Sequence, residues 1–202
     1  MKVLLGISGA SGAVYGVRTL SLLLERGADL HVLVTKTAWG ILASEVWDGD
    51  LPDGMNARRK GLARLSSSAL PFHLYAEDDF GIPFASGSNP PDAMIIVPCS
   101  MGTLGRIAHG VSSSVLTRCA DVALKERRPL VLVARETPLS VIHLENMLTL
   151  ARAGAHILPA CPGFYHRPET VSGLVDFVVS RALSCIGVDA RVLPRWGEGK
   201  EE

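Results

Sequence analysis

The chain has 202 residues, enough for one substantial α/β domain, and 48% of them are apolar. A mean hydropathy of +0.27 is somewhat higher than an isolated soluble chain needs and hints at buried subunit faces. Twenty basic and twenty acidic residues cancel to a pI near 7.0, which argues against nucleic acid or an anionic membrane as the main partner.

The first predicted strand, residues 3–7, opens the chain without a signal-peptide n-region, and no apolar run approaches the ~20 residues of a membrane span. It runs into Gly6-Ile7-Ser8-Gly9-Ala10-Ser11-Gly12 and then a helix over 13–26. Glycines let a backbone approach a ligand, and a helix N-terminus offers free N–H groups and a positive dipole to phosphate. The spacing is G-x-x-G-x-x-G, which is not the dinucleotide fingerprint. The second strand, 30–34, ends in Thr35-Lys36, where an NAD site would place an acid for the ribose. A mononucleotide such as FMN fits better; a tight strand–helix turn with no ligand is the other reading. A helix over 38–46 follows. Residues 47–68 mix Gly, Pro, Asp and Arg before three serines and read as a surface insertion with one short helix. Residues 71–75 are a further strand candidate, and Glu77-Asp78-Asp79 reads as a solvated loop rather than an acidic diphosphate–metal motif.

The strand over 93–97 precedes Pro98-Cys99-Ser100-Met101-Gly102-Thr103 and a helix-like segment. Small hydroxyl residues at a strand's carboxyl end can touch a flavin or its phosphate; a plain helix cap through Ser100 or Thr103 explains them nearly as well. Ser86-Gly87-Ser88 offers the same chemistry and, alone, is a loop. On the helix over 115–127, Arg118 and Lys125 share a face with Asp121 between them, and an ordinary i, i+4 pair from Asp121 to Lys125 would account for them. Arg135-Glu136 directly follows the strand over 130–133, where α/β sheets collect active-site groups.

A helix over 141–153 and a strand at 157–158 lead to Gly163-Phe164-Tyr165-His166-Arg167-Pro168, in which Tyr165 either bonds a phosphate or anchors a loop. On the last helix, 171–186, Arg181 is in register with Leu174, Phe177, Val178 and Cys185, an apolar stripe by i, i+3, i+4, i+7 counting. A guanidinium on a buried stripe must be paired or face a ligand. Cys99, Cys119, Cys161 and Cys185 show no CxxC or Cys/His spacing and read as reduced thiols of a cytoplasmic protein. The alternation predicts one α/β domain over 1–188: a doubly wound, three-layer parallel sheet of the Rossmann-like (flavodoxin-like) class. A polar tail over 189–202, with Pro194-Arg195-Trp196 its sticky part, is expected to reach a neighbouring subunit or the active site.

Residues 6–12 (GISGASG), 98–102 (PCSMG), 120–136 (ADVALKERRPLVLVARE), 143–147 (HLENM) and 162–167 (PGFYHR) together resemble the flavin prenyltransferases, the UbiX-type family. The resemblance spans nearly the whole chain outside 47–68. It implies that reduced FMN and dimethylallyl phosphate are joined, without a metal, into prenylated FMN. That product is the cofactor of partner decarboxylases in ubiquinone biosynthesis or aromatic-acid metabolism. It also implies a dodecamer with sites formed between subunits.

Carried over by matching positions, FMN contacts fall on Gly9, Ala10, Ser11, Thr35, Ser100, Met101, Gly102, Thr103 and Arg135, with Arg118 close to both ligands. The allylic phosphate falls near Lys125, Arg135, Glu136, Tyr165 and Arg181. Glu45 and Trp196 match positions that line the site in some members, and Phe80 stands where some carry Trp beside the prenyl group. In that scheme Lys125, Arg181 and Tyr165 stabilise the departing phosphate, Glu136 exchanges a proton with it, and Ser11 helps move a proton at the flavin edge. The alternative is an FMN-dependent decarboxylase of the related cysteine-decarboxylating superfamily, whose early catalytic His and Asn-bearing loop are not evident. A non-catalytic flavin carrier would not need Lys125, Arg181 and Tyr165 to meet at a second phosphate.

Overall fold

A computed structural model describes residues 1–67, 71–190 and 192. Six strands form one parallel sheet: β1 Lys2–Ile7, β2 Asp29–Val34, β3 His73–Tyr75, β4 Ala93–Cys99, β5 Leu130–Ala134 and β6 His156–Pro159. Their order is β3-β2-β1-β4-β5-β6, the Rossmann arrangement among doubly wound sheets, with the switch point between β1 and β4. The helices are α1 Ala13–Glu25, α2 Lys36–Glu45, α3 Met55–Leu65, α4 Met101–Ala108, α5 Val115–Lys125, α6 Val141–Arg152 and α7 Val171–Ser184.

The strands are apolar runs because both faces of the sheet are covered. Alternate side chains divide between two cores. Val3, Leu5, Ile7, Val131 and Val133 join Leu20 and Leu23 of α1 and Val175, Val178 and Val179 of α7. Leu4, Leu130 and Leu132 join Leu104 of α4, Leu116 of α5 and Leu150 of α6. Each fully buried Leu or Val contributes about 1.5–3 kcal/mol, so this two-sided burial fixes the strand ends above which a ligand can lie. Helix starts are set by hydroxyl caps: Ser114 and Ser140 form reciprocal boxes with Thr117 and His143, and Thr170 accepts from the N–H of Gly173.

Two expectations change. The stretch read as a surface insertion carries α3, whose Leu62 is wholly buried in the core shared with α1 and α2. Gly61 lies directly under the Trp47 ring, Trp47 meets Trp39 edge to face at 6.5 Å, and the Arg58 guanidinium stands 5.0 Å over Trp39. A short helix is expected here, but on the surface; a Gly under a Trp packs it into the core instead. The predicted boundary at 188 also falls short: Ala190 is buried in the core and its carbonyl accepts from the guanidinium of Arg26. Trp196 lies outside the described residues. Among the described residues no helix is long and apolar enough to cross a membrane.

Candidate active site

The carboxyl ends of β1 and β4 are tied together by Ser8. Its hydroxyl donates to the carbonyl of Pro98 at 3.0 Å and accepts from the N–H of Ser100 at 2.8 Å, and its own N–H bonds the same carbonyl. Ser8 is 0% exposed, so this is an internal brace and not a ligand contact. It fixes the start of α4, where Ser100 caps the N–H of Thr103. The first-turn N–H groups of Met101 and Gly102 have no intrahelical partner and face the switch point. A Cβ built on Gly102 meets only Arg106, at 3.8 Å, so the glycine leaves the crevice open to a planar ligand.

The hydroxyls expected to meet FMN are partly committed inside the chain. Thr35 starts α2 and accepts from the N–H of Ala38 at 3.2 Å, leaving its hydrogen available to donate. Thr103 is 2% exposed and accepts from the Ser100 hydroxyl at 3.0 Å, so its side chain belongs to the cap. Ala10 and Met101 are likewise buried and present backbone, not side chain. Gly9 is confined by Thr37, whose Cγ2 lies 2.6 Å from where a Cβ would stand.

The N-terminus of α1 corrects the expectation of free amides. Gly12, at φ 103°, and Ala13 both donate their N–H groups to Oε2 of Glu45, each at 2.8 Å. Glu45 ends α2, so the loop's positive end already holds a carboxylate. Burial pushes the Glu45 carboxyl up, but hydrogen bonds from the Ser11 side chain and the Ala13 and Gly12 amides, with the Arg135 charge, bring it below the usual glutamate value. Arg135 completes the group. Its N–H bonds the carbonyl of Cys99 at 3.2 Å, and its Nε donates to the carbonyl of Ser11 at 3.0 Å. One side chain thus bridges the end of β5 to the glycine loop.

Beside Arg135, the exposed Glu136 accepts from the N–H of Thr137 at 3.1 Å. Arg135, Glu136, Met147, Pro159 and Cys161 line a cleft of about 120 Å³ beyond β5 and β6. Phe80 lies elsewhere. It is half exposed and lines a groove of about 450 Å³ with Trp39, Arg58, Tyr75 and Glu77, beyond β2 and β3. Glu77 is not the solvated acid expected: its carboxylate accepts from the N–H of Lys36 at 2.6 Å, capping α2, and its carbonyl accepts from Val115.

The remaining basic residues stand apart. Arg118 donates to the carbonyl of Ala85 at 3.0 Å and pairs with Asp121 at 2.7 Å, so Asp121 does not pair with Lys125. Lys125 instead pairs with its neighbour Glu126 beside Gly87. It ends α5 before β5 begins, so the length of β5, on the order of 15 Å, separates it from Arg135.

Arg181 is exposed, which corrects the buried stripe. The buried face of α7 is Val175, Val178, Val179, Ala182 and Leu183, so the helix is rotated from the counted register. Arg181 lines an open groove of about 470 Å³ with His156, Leu158, Phe177 and Cys185, along edge strand β6. Tyr165 is on the same flank, edge-on to Phe177 at 5.7 Å; Gly163 permits this, since a Cβ there would meet the Phe177 ring at 2.8 Å. The fold brings Tyr165 and Arg181 to α7. Lys125 and Arg118 lie on α5, in the layer across the sheet.

Residues 1–183 match the Flavoprotein family. The chain is 48% identical to the flavin prenyltransferase UbiX of Pseudomonas aeruginosa, over 98% of this chain and 94% of that protein. The crystal structure of AnUbiX (PadA1) in complex with FMN and dimethylallyl pyrophosphate superposes with a TM-score of 0.85 at 37% identity, covering 96% of each chain. The dodecameric FMN-dependent UbiX-like decarboxylase of Escherichia coli O157:H7 gives 0.84 at 39% identity, over 97% of this chain and 99% of that one. The FMN-dependent cysteine decarboxylase TvaF shares the fold alone, at 17% identity and a TM-score of 0.61.

Proposed function

The chain belongs to the flavin prenyltransferases, and from that premise we propose that it joins the allyl group of dimethylallyl phosphate to reduced FMN held over the carboxyl ends of β1, β2, β4 and β5. Reduced FMN supplies the electron-rich ring that takes up the allylic carbon. The observation that carries the placement is Arg135, which links β5 to the glycine loop through the Ser11 carbonyl and leaves its terminal nitrogens for an anion. The amides of Met101 and Gly102, the Thr35 hydroxyl and the backbone of Gly9 and Ala10 complete the flavin seat. Ser11 and the anionic Glu45 form a donor–acceptor pair that can hold and return a proton at the ring edge.

The allylic phosphate carries the developing negative charge, and Lys125, Arg181 and Tyr165 are suited to receive it. Glu136, at the cleft beyond β5, exchanges the proton of the leaving group. Arg118 assists both ligands, and Phe80 supplies an aromatic wall to the allyl cation. Since α5 and α7 cover opposite faces of the sheet, these groups meet when neighbouring subunits contribute them, which suits a dodecamer. Four unpaired cysteines suit a reducing cytoplasm. The product passes to a decarboxylase that depends on prenylated FMN, in ubiquinone biosynthesis or aromatic-acid metabolism.

Anaerobic incubation with reduced FMN and either dimethylallyl phosphate or the diphosphate, followed by mass spectrometry of the flavin, tests the reading. A flavin heavier by one isoprene unit is expected in at least one arm. An unchanged mass in both, with FMN bound and reduced, would overturn it.

A further inference from the structure

At the end of the sheet opposite the flavin seat, three potential ligands gather around the start of β2 and β3. Asp29 opens β2, and His31 follows two residues later on the same face. His73 opens β3 and pairs in register with His31. One ligand atom from each lies within 4.8 Å of the others. His31 is 7% exposed, yet its buried Nε2 has no hydrogen-bond partner. A buried imidazole nitrogen without a partner is costly in an ordinary core.

We propose that Asp29, His31 and His73 form a binding site for Zn²⁺ that clamps β3 to β2. His31 Nε2 and Asp29 Oδ1 stand 3.4 Å apart, a long contact without hydrogen-bond alignment. Two ligands of one tetrahedral ion, each bonded at about 2.0–2.1 Å, stand roughly 3.4 Å apart. The other ring nitrogen, Nδ1, is 2.8 Å from the Tyr75 hydroxyl. That bond fixes the ring, as outer-shell partners of metal-bound histidines do. Phe84 packs edge-on to His31 at 4.6 Å and holds it from the other side.

The His73 ring stacks on His31 at 4.8 Å and must turn to present its nitrogen. It is exposed and has room to do so, as does Asp29. Two imidazoles and one carboxylate select Zn²⁺ and its neighbours over Mg²⁺ or Ca²⁺, with water at the fourth position. The site is remote from Arg135 and takes no part in prenyl transfer. Its effect is on the short strand β3, which leads into Glu77 and its cap on α2.

The test titrates the untagged, metal-free protein with Zn²⁺ against a chromophoric chelator, with Mg²⁺ as control and Co²⁺ as the spectroscopic probe. One Zn²⁺ per chain, no Mg²⁺ binding, a four-coordinate Co²⁺ spectrum and a Zn²⁺-dependent rise in Tm are expected. His73→Ala and Asp29→Asn, both at exposed positions, should each weaken Zn²⁺ binding by well over tenfold and remove the Tm rise. Tyr75→Phe should weaken it by about tenfold. Failure of the wild type to bind Zn²⁺ stoichiometrically, or an affinity that survives both His73→Ala and Asp29→Asn, overturns the proposal.

Discussion

The glycine-loop edge and the surfaces around the starts of α6 and α7, on opposite faces of the sheet, show opposite states of completion. Around Ser8, Glu45 and Arg135, polar groups answer one another across three strands and two helices within a single chain. At the start of α6, Val141 is 69% exposed and Ile142 67%; on the α7 side, Phe164 is 68% and Val171 73%, near Tyr165 and Arg181. Exposed apolar side chains at these places are what a subunit contact would cover. The chain therefore carries a largely finished seat for one ligand and only separate fragments of the seat for the second.

The sharpest way to break this contrast is to remove the fragments. Lys125→Ala and Arg181→Ala should each cut kcat/KM for the allylic phosphate by roughly a hundredfold, with FMN affinity nearly unchanged in fluorescence titration. Co-expressing the two variants should recover part of the turnover in mixed oligomers, because some composite sites then receive both cations. No recovery would place Lys125 and Arg181 in one subunit's site, or outside it.

Ser8→Ala acts on the finished half. It strands the Ser100 N–H and leaves the Pro98 carbonyl with the Ser8 N–H alone, and should lower stability by about 1–3 kcal/mol in denaturant unfolding while weakening FMN binding. An unchanged midpoint would remove the brace from the account.

Glu45→Gln is gentler, because an acceptor remains and only the charge at the α1 N-terminus is lost, worth about 0.3–1 kcal/mol. Its folded pKa is lowered, so the carboxylate's contribution is present above the unfolded glutamate value and lost as pH falls through the folded one. Wild type should exceed the variant at neutral pH, and the two should converge in acid. The smallest effect is a difference in labelling. Burial pushes the Cys99 and Cys119 thiols up to about 12, so a thiol alkylating agent at neutral pH should take exposed Cys161 first and spare those two in the folded protein.

Much of the fold was legible because β1, β2, β4 and β5 are apolar runs ended by Gly, Thr, Ser or Arg at the sheet edge. Those same ends located Arg135 and the Ser100 cap. Other features depend on distant partners. Ser8 and Ser100 are 92 residues apart, and nothing local marks Ser8 as the brace between them. Glu45 was placed near the site by resemblance, but its bond to the α1 amides depends on how α1 and α2 pack. The α7 register failed for a different reason. That helix is apolar on most sides, so a stripe through Leu174 and Phe177 fits the counting as well as the true face through Val175 and Val179. Asp121 had two cations on its helix face, and spacing alone could not choose Arg118 over Lys125.

The carboxylate of Glu45 bears on what the Rossmann strand order can accept. In dinucleotide enzymes of this topology, the pyrophosphate rests on the first helix's N-terminus. Here that seat is filled from within by an anion of the chain itself, held by both Gly12 and Ala13. A nicotinamide dinucleotide would have to evict a charged side chain from the two amides that hold it, whereas a mononucleotide seated over the strand ends need not contest it. One glutamate thus closes the α1 N-terminus to a second anion.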